Sequence, residues 1–177
     1  HRSSGPTKGF YLNENYGEIT AGYWQNTAPT ATEFSIFDDD TVNANGGTYV
    51  AYLFAHHAND GSETGFGSDG DSPVISCGSF TKGDSGFNNF VDVNLGFEVQ
   101  FLLTKVTNES GNWELWDTMR GMSLNGNKSL YANASDAESN YSDPLFYPTA
   151  NGFSYRDNNA NSYIYPVSYT HLRAHET

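Results

Sequence analysis

The sequence predicts an all-β fold, an antiparallel β-sandwich, on three observations. No window of a dozen residues keeps apolar positions at i, i+3, i+4 and i+7 without a Gly, Pro or Asn cluster breaking it, so helix should be nearly absent. Aromatic residues reach 15 %, mostly Tyr and Phe, and they fall in short runs with β-branched neighbours. Between those runs lie Asn45-Gly46-Gly47, Glu109-Ser110-Gly111, Asn125-Gly126 and Asn151-Gly152, residues that tolerate the positive φ angles of hairpin turns.

Taken in chain order, strands are expected over Phe34 to Phe37, Thr48 to Ala55, Val74 to Phe80, Phe90 to Val93, Glu98 to Val106, Asn112 to Asp117, Phe153 to Arg156 and Ser162 to Tyr165. Tyr49, Val50, Ala51, Tyr52, Leu53 and Phe54 run almost without polar interruption, which predicts a strand covered on both faces. In Glu98 to Val106 the alternation puts Val99, Phe101 and Leu103 on the inner side, with Leu102 interrupting a polar second face. After the turn at Asn108 to Gly111, Trp113 and Leu115 alternate with Glu114 and Trp116, so the two strands read as a hairpin with a large apolar inner face.

Size and charge narrow the function classes. With 177 residues the chain can bury a core without disulfide or metal staples, and its single cysteine, Cys77, excludes an internal disulfide. The net charge of −13 opposes binding to nucleic acid, and no stretch approaches the roughly 18 apolar residues of a membrane-spanning helix. The chain opens at His1 with neither a methionine nor a signal-like run, as expected of a fragment or a processed product. At the other end, Val167 to Thr177 resembles a translated sequencing-adapter read-through of the kind found at the ends of environmental sequence assemblies. Residues 166–177 are therefore expected to be foreign and to lack a packed position, which also removes His171 and His175 from any site.

An internal repeat sets the organisation. Lys8-Gly9-Phe10-Tyr11-Leu12-Asn13 matches Lys128-Ser129-Leu130-Tyr131-Ala132-Asn133, and Glu18 falls on Glu138 at the same offset. Further on, Glu33-Phe34-Ser35 meets Gly152-Phe153-Ser154, and Thr48-Tyr49-Val50 meets Ser162-Tyr163-Ile164. The ordered matches predict two related β units, the first incomplete: 1–58 as the C-terminal part of an upstream unit, 59–73 as a Gly/Ser/Asp-rich linker, and 74–165 as the second unit.

Asn26-Thr27-Ala28-Pro29-Thr30 leading to Phe34-Ser35, Val42-Asn43, and the run from Gly46 to Ala55 resemble a repeated unit of tail-fibre-like structural proteins from marine bacteriophages. Cys77 to Thr81, Val93 to Glu98, the strand ending at Lys105, Gly111-Asn112-Trp113 and Asp117-Thr118-Met119-Arg120-Gly121 continue that resemblance in order. It implies a concanavalin-like or jelly-roll sandwich in a virion appendage, outside the cell, with other virion proteins as partners and a homotrimer as the usual fibre assembly. The Gly-, Ser- and Asp-rich stretch Asp60 to Asp71 departs from the family's short passage between units.

Candidate chemistry is sparse. His56 and His57 with Asp60 suggest a metal site, but neighbouring strand residues point to opposite faces, so packed or exposed histidines are expected. Asp38-Asp39-Asp40 and Asp69-Gly70-Asp71 lack the spacing of a calcium loop and read as solvated turns. No catalytic set, metal or cofactor is expected. Glu114 and Asp117 are the acids a glycosidase reading would use, and no Gly-x-Ser-x-Gly elbow supports a serine hydrolase. Asp117 and Arg120 are expected to form a structural motif, the guanidinium folding back on the carboxylate to pin the strand exit. Asn-x-Ser sequons begin at Asn108, Asn127, Asn133 and Asn140, as composition alone would produce. The expected function is adhesion to a host-surface glycan, since Tyr and Trp stack on sugars while Asn, Asp and Ser bond hydroxyls. A glycan-cleaving depolymerase and a purely architectural spacer are the alternatives.

Overall fold

The computed structural model describes residues 1–30, 32–54, 56, 75–82, 89–157 and 165–172. The strands are β1 (Lys8–Gly9), β2 (Ile19–Thr20), β3 (Ile75–Lys82), β4 (Asn89–Asn94), β5 (Phe101–Val106), β6 (Glu114–Asp117), β7 (Asn127–Tyr131), β8 (Ser139–Tyr141), β9 (Phe146–Thr149), β10 (Gly152–Asp157) and β11 (Tyr165–Leu172). Among the described residues one short helix, α1 (Asp40–Asn43), starts where Asp39 accepts a hydrogen bond from Thr41 N at 2.8 Å, so the run of aspartates serves as a helix cap. All pairings are antiparallel. A three-stranded sheet of order β4-β10-β9 faces a six-stranded sheet of order β3-β11-β5-β6-β7-β8, and β1 pairs β2 separately.

Aromatic residues fill the space between the sheets. Val91, Val93, Phe146, Phe153 and Tyr155 enter from the smaller sheet, and Phe80, Leu102 and Trp116 from the larger. Phe80 stacks on Tyr155 with ring centroids 4.3 Å apart, and Trp116 meets Phe146 at 5.0 Å. The buried Trp116 Nε1 donates to Thr104 Oγ1, which removes the cost of sealing an indole N–H from water. The β9–β10 turn closes through the Thr149↔Gly152 pair. Glycine is needed there because a Cβ on Gly152 would stand 2.0 Å from Val93 O on β4.

Residues 10–18 lie against the outside of the larger sheet. Trp113 Nε1 donates to Tyr11 O, Phe10 meets Trp113 edge-on, and Glu18 N donates to Thr107 O. Lys105 is 1 % exposed beneath this segment, with Nζ bonded to Val106 O at 2.9 Å and Asn15 O at 3.4 Å. Burial lowers its pKa, which Glu109 and Glu114 partly offset.

Four expectations are corrected. Phe34 to Phe37 and Thr48 to Ala55 do not form strands in their described residues: Tyr49 to Phe54 have no sheet partner, and Tyr52 is 82 % exposed. The strand β5 starts at Phe101 and its core face carries Leu102 and Thr104; of the residues expected on the inner side, Val99 is fully buried in the core just before the strand, while Phe101 and Leu103 turn to the other face. The ladder explains this, because Leu102 stands directly across from Trp116, the residue that fills the core, while Leu115 is only half-buried. Finally, residues 166–177 were expected to lack a packed position, yet Tyr165–Leu172 form β11 between β3 and β5 with Val167 buried. Val167, apolar and β-branched, suits this interior place between two strands. The expected linker 59–73, His57, and Ser162 to Ile164 lie outside the described residues.

The hairpin that opens the repeat recurs in conformation. Lys8↔Thr20 and Gly9↔Ile19 have the same register and loop length as Lys128↔Asn140 and Ser129↔Ser139. Lys8 Nζ reaches Glu18 at 3.3 Å and Lys128 Nζ reaches Glu138 at 3.0 Å. Glu14 N bonds Tyr11 O as Ala134 N bonds Tyr131 O.

Candidate functional site

The outward face of the three-stranded sheet carries polar and aromatic side chains side by side. Strand alternation sends Val91 and Val93 of β4 into the core, which leaves Phe90, Asp92 and Asn94 outside. On β10 the same register turns Ser154 and Arg156 outward, and on β9 Tyr147 and Thr149. Ser154 pairs with both Asp92 and Tyr147, and being small it is fully buried between them. Phe90 and Tyr147 meet edge-to-face at 5.2 Å across that row. Arg156 is held beside them by Asp143 at 3.2 Å.

At the end of this face lies a depression of about 280 Å³ lined by Asp92, Val93, Asn94, Thr149, Ala150 and Asn151. Its floor is fixed by the backbone, since Leu95 N and Gly96 N both donate to Asn151 O and Asn94 Oδ1 accepts from Gly96 N. One carboxylate, a hydroxyl and two amides beside an aromatic pair can bind a hydroxyl-rich ligand. A glycoside hydrolase would need two carboxylates flanking the bond, and the lining holds one. The sequence reading placed Phe90 to Val93 on a strand and Asn151 in a turn but assigned none of these residues to a binding site. Their signal was the alternation of Phe90-Val91-Asp92-Val93-Asn94, which marks Asp92 and Asn94 as outward.

Residues 1–170 match the family model described as Domain of unknown function (DUF7483). The chain belongs to that family. No curated protein and no solved structure matches it. The DUF7483 match runs through Thr170 and so takes in the two hairpins, both sheets and most of β11.

The remaining candidates of this DUF7483 chain lie apart from this depression. Asp117 accepts from Arg120 N at 2.7 Å through one carboxylate oxygen and faces Arg120 Nε at 3.3 Å through the other. Glu138 extends the cluster, 3.9 Å from Arg120 Nε and 3.0 Å from Lys128 Nζ. Met122 N also donates to Asp117 O, so this residue ties the end of β6 to the following turn. Asp117→Ala is expected to lower stability by about 1–2 kcal/mol, since a backbone amide and a guanidinium lose one acceptor. A urea melt checks this, and an unchanged midpoint would mean that water replaces the carboxylate at no cost.

Glu114 and Asp117 lie three residues apart on β6, hence on opposite faces of the sheet, and cannot flank one glycosidic bond. His56 turns Nδ1 to Cys77 N at 3.0 Å, on the edge of β3. Among the described residues no group of His, Cys, Asp and Glu is arranged to hold a metal ion. Burial and the Tyr131 hydroxyl push the Tyr141 phenol up to about 12, which reflects its place against Trp116 at the core's edge. Of the sequon asparagines, Asn127 is 2 % exposed and packed inside the fold.

Proposed function

We propose that the chain is an adhesive module of a bacteriophage tail appendage and that it holds a host-surface glycan on the outward face of β4, β10 and β9. The observation that carries this reading is the Phe90–Tyr147 pair standing beside the depression of Asp92, Asn94, Thr149 and Asn151. Sugars present apolar C–H faces and a fringe of hydroxyls; an aromatic edge takes the first, and carboxylate, amide and hydroxyl groups take the second. The sequence resemblance to tail-fibre-like units supports a virion location, virion proteins as neighbours and a trimeric fibre. The acidic charge supports a neutral or cationic polysaccharide over a polyanion.

The test is retention on a glycan array followed by titration with the best ligand. Phe90→Ala or Asp92→Asn should weaken binding about tenfold, the equivalent of about 1.4 kcal/mol, with the melting curve unchanged. Glu114→Ala should leave binding intact. Reducing-sugar release abolished by Asp92→Asn would replace adhesion with hydrolysis, and no retention of any glycan would leave a spacer.

A further inference from the structure

The charges on the outward face of β4, β10 and β9 do not cancel. Arg156 is the cation of that face, and Asp143 takes it up at 3.2 Å. Asp92 stands one outward row further along, across from Ser154, and its carboxylate makes no hydrogen bond or ion pair among the described residues. Ser154 does not serve it, because its hydroxyl donates to Val91 O. The depression that Asp92 lines holds no basic side chain; the rest of its lining is Val93, Asn94, Thr149, Ala150 and Asn151. A carboxylate in such a lining has no protein cation to balance it, and the chain's net charge of −13 adds to the same field.

Resting on the adhesive reading, we infer that the glycan held here carries free amino groups, as a de-N-acetylated hexosamine polymer does, and that Asp92 receives the ammonium. An ammonium brings three N–H donors and no acceptor, so it needs oxygen atoms around it. Asp92 offers two carboxylate oxygens, and the Thr149 hydroxyl and the Asn151 amide share the lining. Asn94 has its Oδ1 taken by Gly96 N, which leaves Nδ2 to donate to a sugar hydroxyl. Alternate residues along β4 stand about 7 Å apart, so a ring lying on Phe90 brings its own amino substituent or its neighbour's over Asp92. An N-acetyl group in the same place gains no charge-assisted bond. A uronic acid would meet Asp92 as like charge, which costs affinity.

Isothermal titration of the full chain with glucosamine oligomers and with N-acetylglucosamine oligomers of equal length tests this. The amine form should bind at least about fivefold more tightly, the range of a charge-assisted bond in an exposed to partly exposed site. That preference should shrink as salt is raised and as pH rises through the sugar amine's own pKa. Asp92→Asn should remove the preference with the melting curve unchanged, and Phe90→Ala should weaken both oligomers alike. Asp143→Asn takes one negative charge from the same face and should keep the preference. Equal affinity for the two oligomers, or a preference that survives Asp92→Asn, overturns the assignment and leaves glycan adhesion resting on whatever other sugar the array retains. Binding of neither oligomer overturns it as well, and the adhesive reading falls with it only where the array retains no glycan at all.

Discussion

A chain ending at Tyr165 is expected to lose its cooperative unfolding transition when studied at concentrations where it is monomeric. The reason lies in where β11 sits. Val167 to Leu172 bridge β3 and β5 in the interior of the six-stranded sheet, so their removal leaves two facing rows of backbone donors and acceptors unpaired. Each buried orphan costs about 1–3 kcal/mol, against a total stability of about 5–15 kcal/mol for a domain. Val167 also leaves the core, and Phe80 loses the strand that holds β3 against Tyr155. Tryptophan fluorescence through a urea titration reads the outcome, since Trp116 reports the packed core. A sharp transition at the full chain's urea midpoint would instead make residues 166–177 an appendage and return the sheet's integrity to β3 through β8.

The legible parts of the fold are those decided by neighbours in sequence. The β5–β6 hairpin follows from two alternating runs around Asn108 to Gly111, because a tight turn fixes register locally, and β10 was expected after the Asn151-Gly152 turn, whereas its partner β9 was not. The recurrence of Lys8 and Glu18 in Lys128 and Glu138 was equally open to inspection, and both pairs form the same bridge across the same hairpin. What could not be read was which face of an element meets a partner distant in sequence. Leu102 looked like an interruption of the face carrying Phe101 and Leu103, yet within β5 the position opposite Trp116 decided the core face, while Val99 reaches the same core from before the strand. Tyr49 to Phe54 have the composition of an interior strand, but a strand forms only where other strands accept its hydrogen bonds, and the second half of the chain already fills its own slot with β11. The outward face of β4 was hidden for a related reason: Phe90, Asp92 and Asn94 become a surface only when β9 brings Tyr147 and Thr149 alongside through β10.

Asn127→Ala is expected to be among the most damaging single substitutions, about 3 kcal/mol or more, although the residue looks like part of an ordinary Asn-x-Ser sequon. It opens β7 in the larger sheet, yet its side chain serves the start of β9 in the smaller one. Oδ1 accepts from Leu145 N and from Phe146 N, the latter at 2.8 Å. Nδ2 donates to Phe146 O at 2.7 Å and also reaches Gly126 O at 3.0 Å. The amide thus serves Phe146 on the edge of β9 turned away from β10 and clamps the two layers together beside Phe146, which packs on Trp116. Alanine leaves these groups unpaired in a site too enclosed for water to solvate them all, as the 2 % exposure of Asn127 indicates. Asn127→Asp keeps the acceptor but loses the donor and buries a charge, so it should be as harmful at neutral pH and milder where the carboxyl is protonated. Asn125→Ala, two residues away and exposed in the turn, is the control and should shift the urea midpoint little. Equal effects at the two positions would show that turn propensity, rather than the bridge between the sheets, accounts for the asparagines of this segment.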